Sequence, residues 1–160
     1  MPAKTTSTEA QRAKTVSLLL AGAKLGVHVS VACPERYQPL GAVLDRAAPD
    51  AKRRGVKLEV CSRPEDAVKD ADAIYTDVWT SMGQEKEKQE RLKAFAGFQV
   101  STAMMKLAKP ECVFMHCLPA HRGEEVAAEV ADSPQSVIFD EAENRLHAQK
   151  AILVELLGKR

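Results

Sequence analysis

Segments with a helical spacing of apolar residues alternate with short segments rich in β-branched residues. The strand-like segments are residues 27–32, 56–61, 73–76, 113–116 and 137–139. The helix-like segments are residues 8–26, 40–54, 64–69, 84–96, 124–131 and 141–157. Strands that alternate with helices pair in parallel, because each helix crosses over and returns the chain to the starting edge. The sequence therefore predicts an α/β fold whose parallel sheet has helices on both faces.

The first helix precedes every strand signal. Thr8 and Gln11 have the spacing of a capping box, and Gly26 stands where a glycine commonly ends a helix. Residues 1–15 show no apolar alternation. A doubly wound sheet normally opens with a strand that leads into its first helix. We therefore expect a Rossmann-like sheet that lacks its first central strand.

Composition excludes several classes of partner. The 160 residues are enough for one domain with its own core. Lys and Arg number 23 against 22 Asp and Glu, and only 4% of residues are aromatic, so neither a basic nucleic-acid surface nor a base-stacking platform is expected. The apolar run at 16–23 is too short to span a membrane, and the start has no apolar signal region. With four cysteines in no disulfide-type framework, we expect a cytoplasmic protein without nucleic-acid or membrane partners.

Three unusual segments follow predicted strands, at the edge of the sheet where ligands of such folds bind. They are residues 77–83, 116–119 and 140–145. In the first, Asp77 is suited to an ammonium group, because a carboxylate accepts charge-assisted hydrogen bonds. If that ammonium group belongs to an amino acid, Ser81 is suited to bind the carboxylate of the same molecule. The plainer alternative is a strand-to-helix turn in which Asp77 caps the helix.

The other two segments carry a thiol and a guanidinium. Cys117 ends a strand beside the Leu118–Pro119 bond, a candidate cis peptide; the alternative is a small buried apolar residue. Arg145 lies early in the last predicted helix, where the dipole disfavours a cation, so an anion such as phosphate is a candidate partner. The alternative is an ion pair with Glu141, four residues earlier.

A zinc-like spacing also occurs, formed by Cys112, His116, Cys117 and His121. His116 and Cys117 are adjacent on a strand and should point to opposite faces. Because Pro119 also bends the chain that follows, no metal site is predicted. The charged run at 85–91 is expected to be a solvated helix face, with Glu87 and Arg91 at a favourable spacing.

Four stretches resemble the ornithine carbamoyltransferase family. They are SLLLAGAKLGVHVSVACP at 17–34, DVWTSMGQE at 77–85, HCLPAHRGEEV at 116–126 and FDEAENRLHAQKAIL at 139–153. The resemblance implies an ornithine-binding domain over residues 16–160, preceded by an unmatched segment, 1–15. It implies that ornithine is bound by Asp77, Ser81 and Met82. It implies that carbamoyl phosphate is bound by Cys117, Leu118 and Arg145. Of these, Cys117 and Arg145 are implied to be the catalytic residues. The Leu118–Pro119 peptide bond is implied to be cis.

The family's reaction joins L-ornithine to carbamoyl phosphate, giving L-citrulline and phosphate in arginine biosynthesis, with no cofactor. The family's first domain, with its S-T-R-T phosphate loop and H-P-T-Q segment, has no counterpart here. We therefore expect a truncated or frame-shifted gene, or a mis-assigned start, and an isolated chain that is inactive. The family is homo-oligomeric, and this chain is expected to self-associate. The alternative is a non-catalytic amino-acid-binding module or gene remnant.

Overall fold

The computed structural model describes residues 8–80 and 87–158, with the side chains of the first helix described from Thr15 onwards. In chain order the elements are α1 (Thr8–Leu25), β1 (Val29–Ala32), a 3-10 helix (Glu35–Tyr37), α2 (Gly41–Arg54), β2 (Leu58–Cys61), α3 (Pro64–Val68), β3 (Ala73–Thr76), α4 (Lys88–Ala94), α5 (Thr102–Met105), β4 (Val113–His116), α6 (Ala128–Ala131) and α7 (Ile138–Leu157). The chain divides into two compact units, Met1–Lys69 with Trp79–Phe98 and Asp70–Val78 with Gln99–Arg160.

In the first unit, α1 and α2 pack together beside the parallel pair β1–β2. The buried contact is made of small residues, Ala23, Ala47 and Ala51. Gly22 allows α1 to approach β1, since a Cβ there would lie 2.5 Å from Cγ2 of Val29. Gly55 ends α2 at φ 68°, a left-handed conformation that glycine adopts without steric cost.

In the second unit, β3 and β4 pair in parallel, with Thr76 opposite His116 at their carboxyl ends. The first residue of α7, Ile138, is almost fully buried. The other large apolar residues buried in this unit include Ile74, Phe114, Val126 and Val130. Ser101 caps α5 by accepting a hydrogen bond from the N–H of Met104.

Two predicted elements are wrong. Residues 137–139 form no strand; Phe114 exchanges backbone hydrogen bonds with Gln135 and Val137, and α7 begins immediately afterwards at Ile138. The helix predicted at 124–131 begins only at Ala128, because Val126 makes bridges to Val100 and Arg122.

The fold is α/β with parallel strands, as predicted, but its four strands form two separate pairs within the described ranges. Between Thr8 and Val29 the described chain is a helix and a turn, which agrees with the expectation that no strand precedes β1. Among the described helices, none combines the length and the apolar character that crossing a membrane requires.

Candidate functional site

Asp77 and Cys117 lie side by side in the second unit. They directly follow β3 and β4, whose register sets Thr76 opposite His116. The thiol of Cys117 donates a hydrogen bond to Oδ1 of Asp77, with Sγ and Oδ1 3.1 Å apart. The same oxygen accepts the N–H of Val78 at 2.9 Å. Two residues predicted from separate segments thus form one polar pair at the carboxyl ends of two strands.

Tyr75 joins this pair. Burial is the main cause that raises the pKa of its hydroxyl, followed by the hydrogen bond with Cys117 and the nearby carboxyls of Glu141 and Asp77. The hydroxyl therefore keeps its proton at neutral pH. Tyr75 was missed from the sequence, although it lies two residues before Asp77 and so on the same face of β3.

Leu118 is held by the histidine that precedes Cys117. Its backbone has φ 55°, and its peptide bond to Pro119 is cis, as expected. The N–H of Leu118 donates to Nδ1 of His116 at 2.9 Å. Because Nδ1 accepts this bond, the proton of the neutral imidazole lies on Nε2. A left-handed non-glycine residue is uncommon, and such residues concentrate at functional sites.

A buried His–Glu pair supports this turn. His116 and Glu125 are both fully buried, with Nε2 and Oε1 3.4 Å apart. Burial acts to raise the pKa of Glu125, but the neighbouring imidazole of His116 and the backbone N–H of His121 outweigh it, so the pKa of this carboxyl is lowered. The pair is not predictable from the sequence pattern, because that pattern places Glu125 in a helix that begins only at Ala128.

Glu141 and Arg145 project from α7. Burial raises the pKa of Glu141, helped by the charge of Asp77 and opposed by a backbone hydrogen bond from His116 and the charge of Arg145. Arg145 is exposed, and within residues 8–80 and 87–158 it makes no ion pair, so the alternative of a bridge to Glu141 is wrong. Because α7 begins at Ile138, Arg145 also lies beyond the first turn, and the dipole argument for an anion no longer applies.

Ser81 and Met82 lie outside the described residues, but both flanks of their loop are described. Arg91 is fully buried and donates to the carbonyl oxygen of Trp79 at 3.0 Å and to Oε2 of Glu87 at 3.2 and 3.3 Å. Its guanidinium also lies 5.4 Å from the ring centre of Tyr37. The expectation of a solvated face at 85–91 is thus wrong for Arg91. Its guanidinium binds Trp79 before the loop and Glu87 after it.

The zinc-like spacing does not produce a ligand cluster. Within the described part of the chain, Cys112, His116, Cys117 and His121 do not converge as a set of metal ligands. Cys112 is buried, and Cys117 instead contacts Asp77.

Comparison with known proteins identifies the family. The family model "Aspartate/ornithine carbamoyltransferase, Asp/Orn binding domain" matches residues 10–156. This chain belongs to that family of Asp/Orn-binding domains. It is 60% identical over 142 residues to the ornithine carbamoyltransferase of Symbiobacterium thermophilum, covering 89% of this chain and 46% of the relative.

Solved structures of ornithine carbamoyltransferases have the same fold. The Pyrococcus furiosus structure matches with a TM-score of 0.81 and 57% identity, covering 87% of this chain and 44% of that one. The anabolic Campylobacter jejuni structure matches with a TM-score of 0.85 and 38% identity, over 91% and 48%. The chain thus spans under half the length of the carbamoyltransferases it matches.

Proposed function

We propose that this chain is the ornithine-binding part of an ornithine carbamoyltransferase. The reaction is attack of the δ-amino group of L-ornithine on the carbonyl carbon of carbamoyl phosphate, giving L-citrulline and phosphate. In this proposal ornithine is bound by Asp77, Ser81 and Met82. Carbamoyl phosphate is contacted by Cys117, Leu118 and Arg145, of which Cys117 and Arg145 act on the reacting groups.

The Asp77–Cys117 pair is the observation that carries the proposal. Oδ1 of Asp77 accepts hydrogen bonds from the thiol of Cys117 and the N–H of Val78. A carboxylate at this position is also a strong acceptor for the ammonium group of an amino acid, because such hydrogen bonds are charge-assisted. Cys117 then lies against the same amino acid, at the strand ends where open α/β sheets bind ligands.

The charges near the pair favour ornithine over aspartate, the other amino acid in the family's description. Ornithine carries a second ammonium group, whereas aspartate carries a second carboxylate. Asp77 and, close to it, Glu141 both present carboxyl groups. A second carboxylate placed there would be repelled, while a second ammonium would be attracted.

The carbamoyl group is assigned to the turn after β4. The left-handed backbone of Leu118 is fixed by the bond from its N–H to His116. Fixed main-chain groups stabilise developing charge without reorganising during the reaction. Arg145, exposed on α7, supplies a guanidinium suited to the carbonyl oxygen or the phosphate.

The remaining assignments are also proposals. The protein acts in the cytoplasm on small molecules, with no cofactor and no nucleic-acid or membrane partner. The 160 residues alone bind carbamoyl phosphate too poorly for turnover, because the phosphate loop implied by the family resemblance has no counterpart in them. A second domain, on the same or another chain, is needed for activity.

Binding of L-ornithine to the labelled chain, followed by NMR, tests the proposal. We expect amide shifts centred on Asp77, Cys117 and Leu118, and much smaller shifts with L-aspartate. Asp77→Asn should weaken ornithine binding at least about tenfold, because a hydrogen bond to a charged group contributes on the order of 1.5–3 kcal/mol.

Asp72→Asn is the matched control. Asp72 is an exposed carboxylate at the opposite end of β3, paired with Lys109 at 2.5 Å. It should leave ornithine binding unchanged. Equal losses in the two variants, or ornithine shifts that do not involve the ends of β3 and β4, would contradict the proposal.

A further inference from the structure

Three side chains with metal-ligating atoms meet at the turn after Pro119. They are His121, Glu124 and Glu125, whose ligand atoms all lie within 4.8 Å of one another. Nδ1 of His121 lies 3.9 Å from Oε2 of Glu124 and 3.9 Å from Oε2 of Glu125. At these distances the imidazole is too far for a hydrogen bond to either carboxylate.

Glu125 supplies an independent observation that points to a cation. Its side chain is fully buried, and Oε2 has no hydrogen-bond partner in the described parts of the chain. Oε1 of the same carboxyl accepts the backbone N–H of His121 and faces Nε2 of His116. A buried carboxylate oxygen without a partner is costly, and a bound cation is one way to satisfy it.

The backbone around the cluster is closely determined. The N–H of Glu124 donates to the carbonyl of His121 at 3.0 Å, and Gly123 adopts φ 90°, a conformation that favours glycine. Val126 continues the segment through bridges to Val100 and Arg122. The three ligating residues are therefore placed by a tight turn and not by chance contact of long side chains.

Local charges are compatible with a cation. The nearest cationic side chain in sequence, Arg122, is held by Asp132 at 2.6 Å. The cluster itself contains two carboxylates and one imidazole. A divalent ion would be neutralised by the two carboxylates and coordinated by the neutral histidine.

We propose that His121, Glu124 and Glu125 form a binding site for a divalent first-row transition metal of the Zn²⁺ type. One imidazole with two carboxylates suits such ions, whereas Mg²⁺ and Ca²⁺ prefer oxygen ligands alone. Zinc binds nitrogen and carboxylate oxygen at about 2.0–2.2 Å, which sets tetrahedral ligand atoms roughly 3.3 Å apart. The two distances from Nδ1 of His121 to the carboxylates, 3.9 Å each, therefore need to shorten by only about half an ångström. Water completes the coordination.

The site is distinct from the Asp77–Cys117 pair but linked to it. Glu125 turns Oε2 to the metal and Oε1 toward His116, whose Nδ1 holds the N–H of Leu118. A bound ion would thus hold Glu125, which contacts His116, which in turn contacts Leu118. The proposal does not depend on the proposed reaction.

Zinc titration of the reduced, metal-free chain in competition with a chromophoric chelator tests the site. We expect one Zn²⁺ per chain and no comparable binding of Mg²⁺. His121→Ala and Glu124→Gln change exposed or partly exposed residues and should leave the fold intact. Each should weaken zinc binding at least about tenfold, since even loss of an outer-shell partner costs about 10–100-fold.

His147→Ala is the matched control, because His147 is exposed and lies 3.8 Å from Glu143 without a buried third carboxylate. It should leave the affinity unchanged. Cys117→Ser tests the competing thiol, and the cobalt(II) complex should show no thiolate charge-transfer band. The proposal would be overturned if the unaltered chain bound no zinc, or if His121→Ala and Glu124→Gln kept its zinc affinity. It would also be overturned if Cys117→Ser lost zinc binding or if the cobalt(II) complex showed a thiolate band.

Discussion

Arg91 connects parts of the first unit that are separated in sequence, because it contacts Tyr37, Trp79 and Glu87. It is fully buried and bonded to the carbonyl of Trp79 and the carboxylate of Glu87. We predict that Arg91→Ala destabilises the chain by about 3 kcal/mol, because it removes a buried guanidinium that bonds the buried carbonyl oxygen of Trp79 and the carboxylate of Glu87. Chemical denaturation followed by tryptophan fluorescence would report the loss, since Trp79 is the only tryptophan.

Arg36→Ala provides the contrast. Arg36 pairs with Glu90 at 2.6 Å, but both side chains are exposed, and exposed pairs are screened by solvent. We expect no measurable change in stability. A similar effect of the two substitutions would show that Arg91 is not a buried anchor.

Glu141 gives the site a predictable dependence on pH. Burial beside Asp77 raises the pKa of Glu141 in the folded chain above its ordinary value of 4.5. The fold therefore prefers the protonated form, and ionisation of Glu141 costs stability as the pH rises from about 4.5 through the raised pKa. Glu141→Gln should gain stability relative to the unaltered chain over that interval and keep the gain at higher pH.

Denaturation of both proteins at a series of pH values measures this difference. Glu143→Gln, which removes one carboxylate from an exposed position of the same helix, is the control. If the gain of Glu141→Gln is the same at pH 4 and pH 7, Glu141 is not ionising in a buried setting.

At the scale of elements, α7 carries more apolar surface than its unit covers. Only Ile138 of this helix is buried. The large apolar residues exposed beyond its first turn are Leu146, Ile152, Leu153, Val154, Leu156 and Leu157. Exposed apolar patches of this kind favour association.

We predict that the purified chain self-associates and binds the dye ANS. The double substitution Leu153→Gln with Leu157→Gln should reduce light scattering and dye binding, whereas Lys150→Gln should change neither. A sharply monomeric chain that binds no dye and melts cooperatively would contradict this prediction.

Sequence patterns located β3 and β4 to the residue, because each is a short run rich in apolar residues. They failed at 137–139, where Val137 and Ile138 favour a strand. The pairing with Phe114 instead centres on Ser136, and α7 begins at Ile138. That outcome depends on contacts distant in sequence. Local periodicity therefore does not contain it.

The same limit applies to the site. Asp77 and Cys117 were identifiable, since each directly follows a strand and parallel strands bring their carboxyl ends to one edge. Glu125 was not, because its partner His116 is set by a turn between them that carries no periodic signal. Arg91 was misplaced for a similar reason: a charged run predicts solvent exposure, and only tertiary packing reveals the buried member.

At the scale of the molecule, the chain matches under half of each full-length relative. In the proposed function this chain supplies the ornithine side of the site, and a second domain supplies most of the phosphate contacts. Removing one oriented donor to a developing oxyanion typically costs about 10²–10³ in rate. Losing several should therefore abolish turnover while leaving ornithine binding measurable.

The most direct test of the proposed function is citrulline formation from L-ornithine and carbamoyl phosphate. It is measured with and without the separately produced amino-terminal half of the Symbiobacterium thermophilum relative. The isolated chain should form no citrulline. The mixture should be active, and Asp77→Asn or Cys117→Ser should abolish that activity. Turnover by the chain alone, or a mixture of two folded, associated halves that makes no citrulline, would contradict the proposed function.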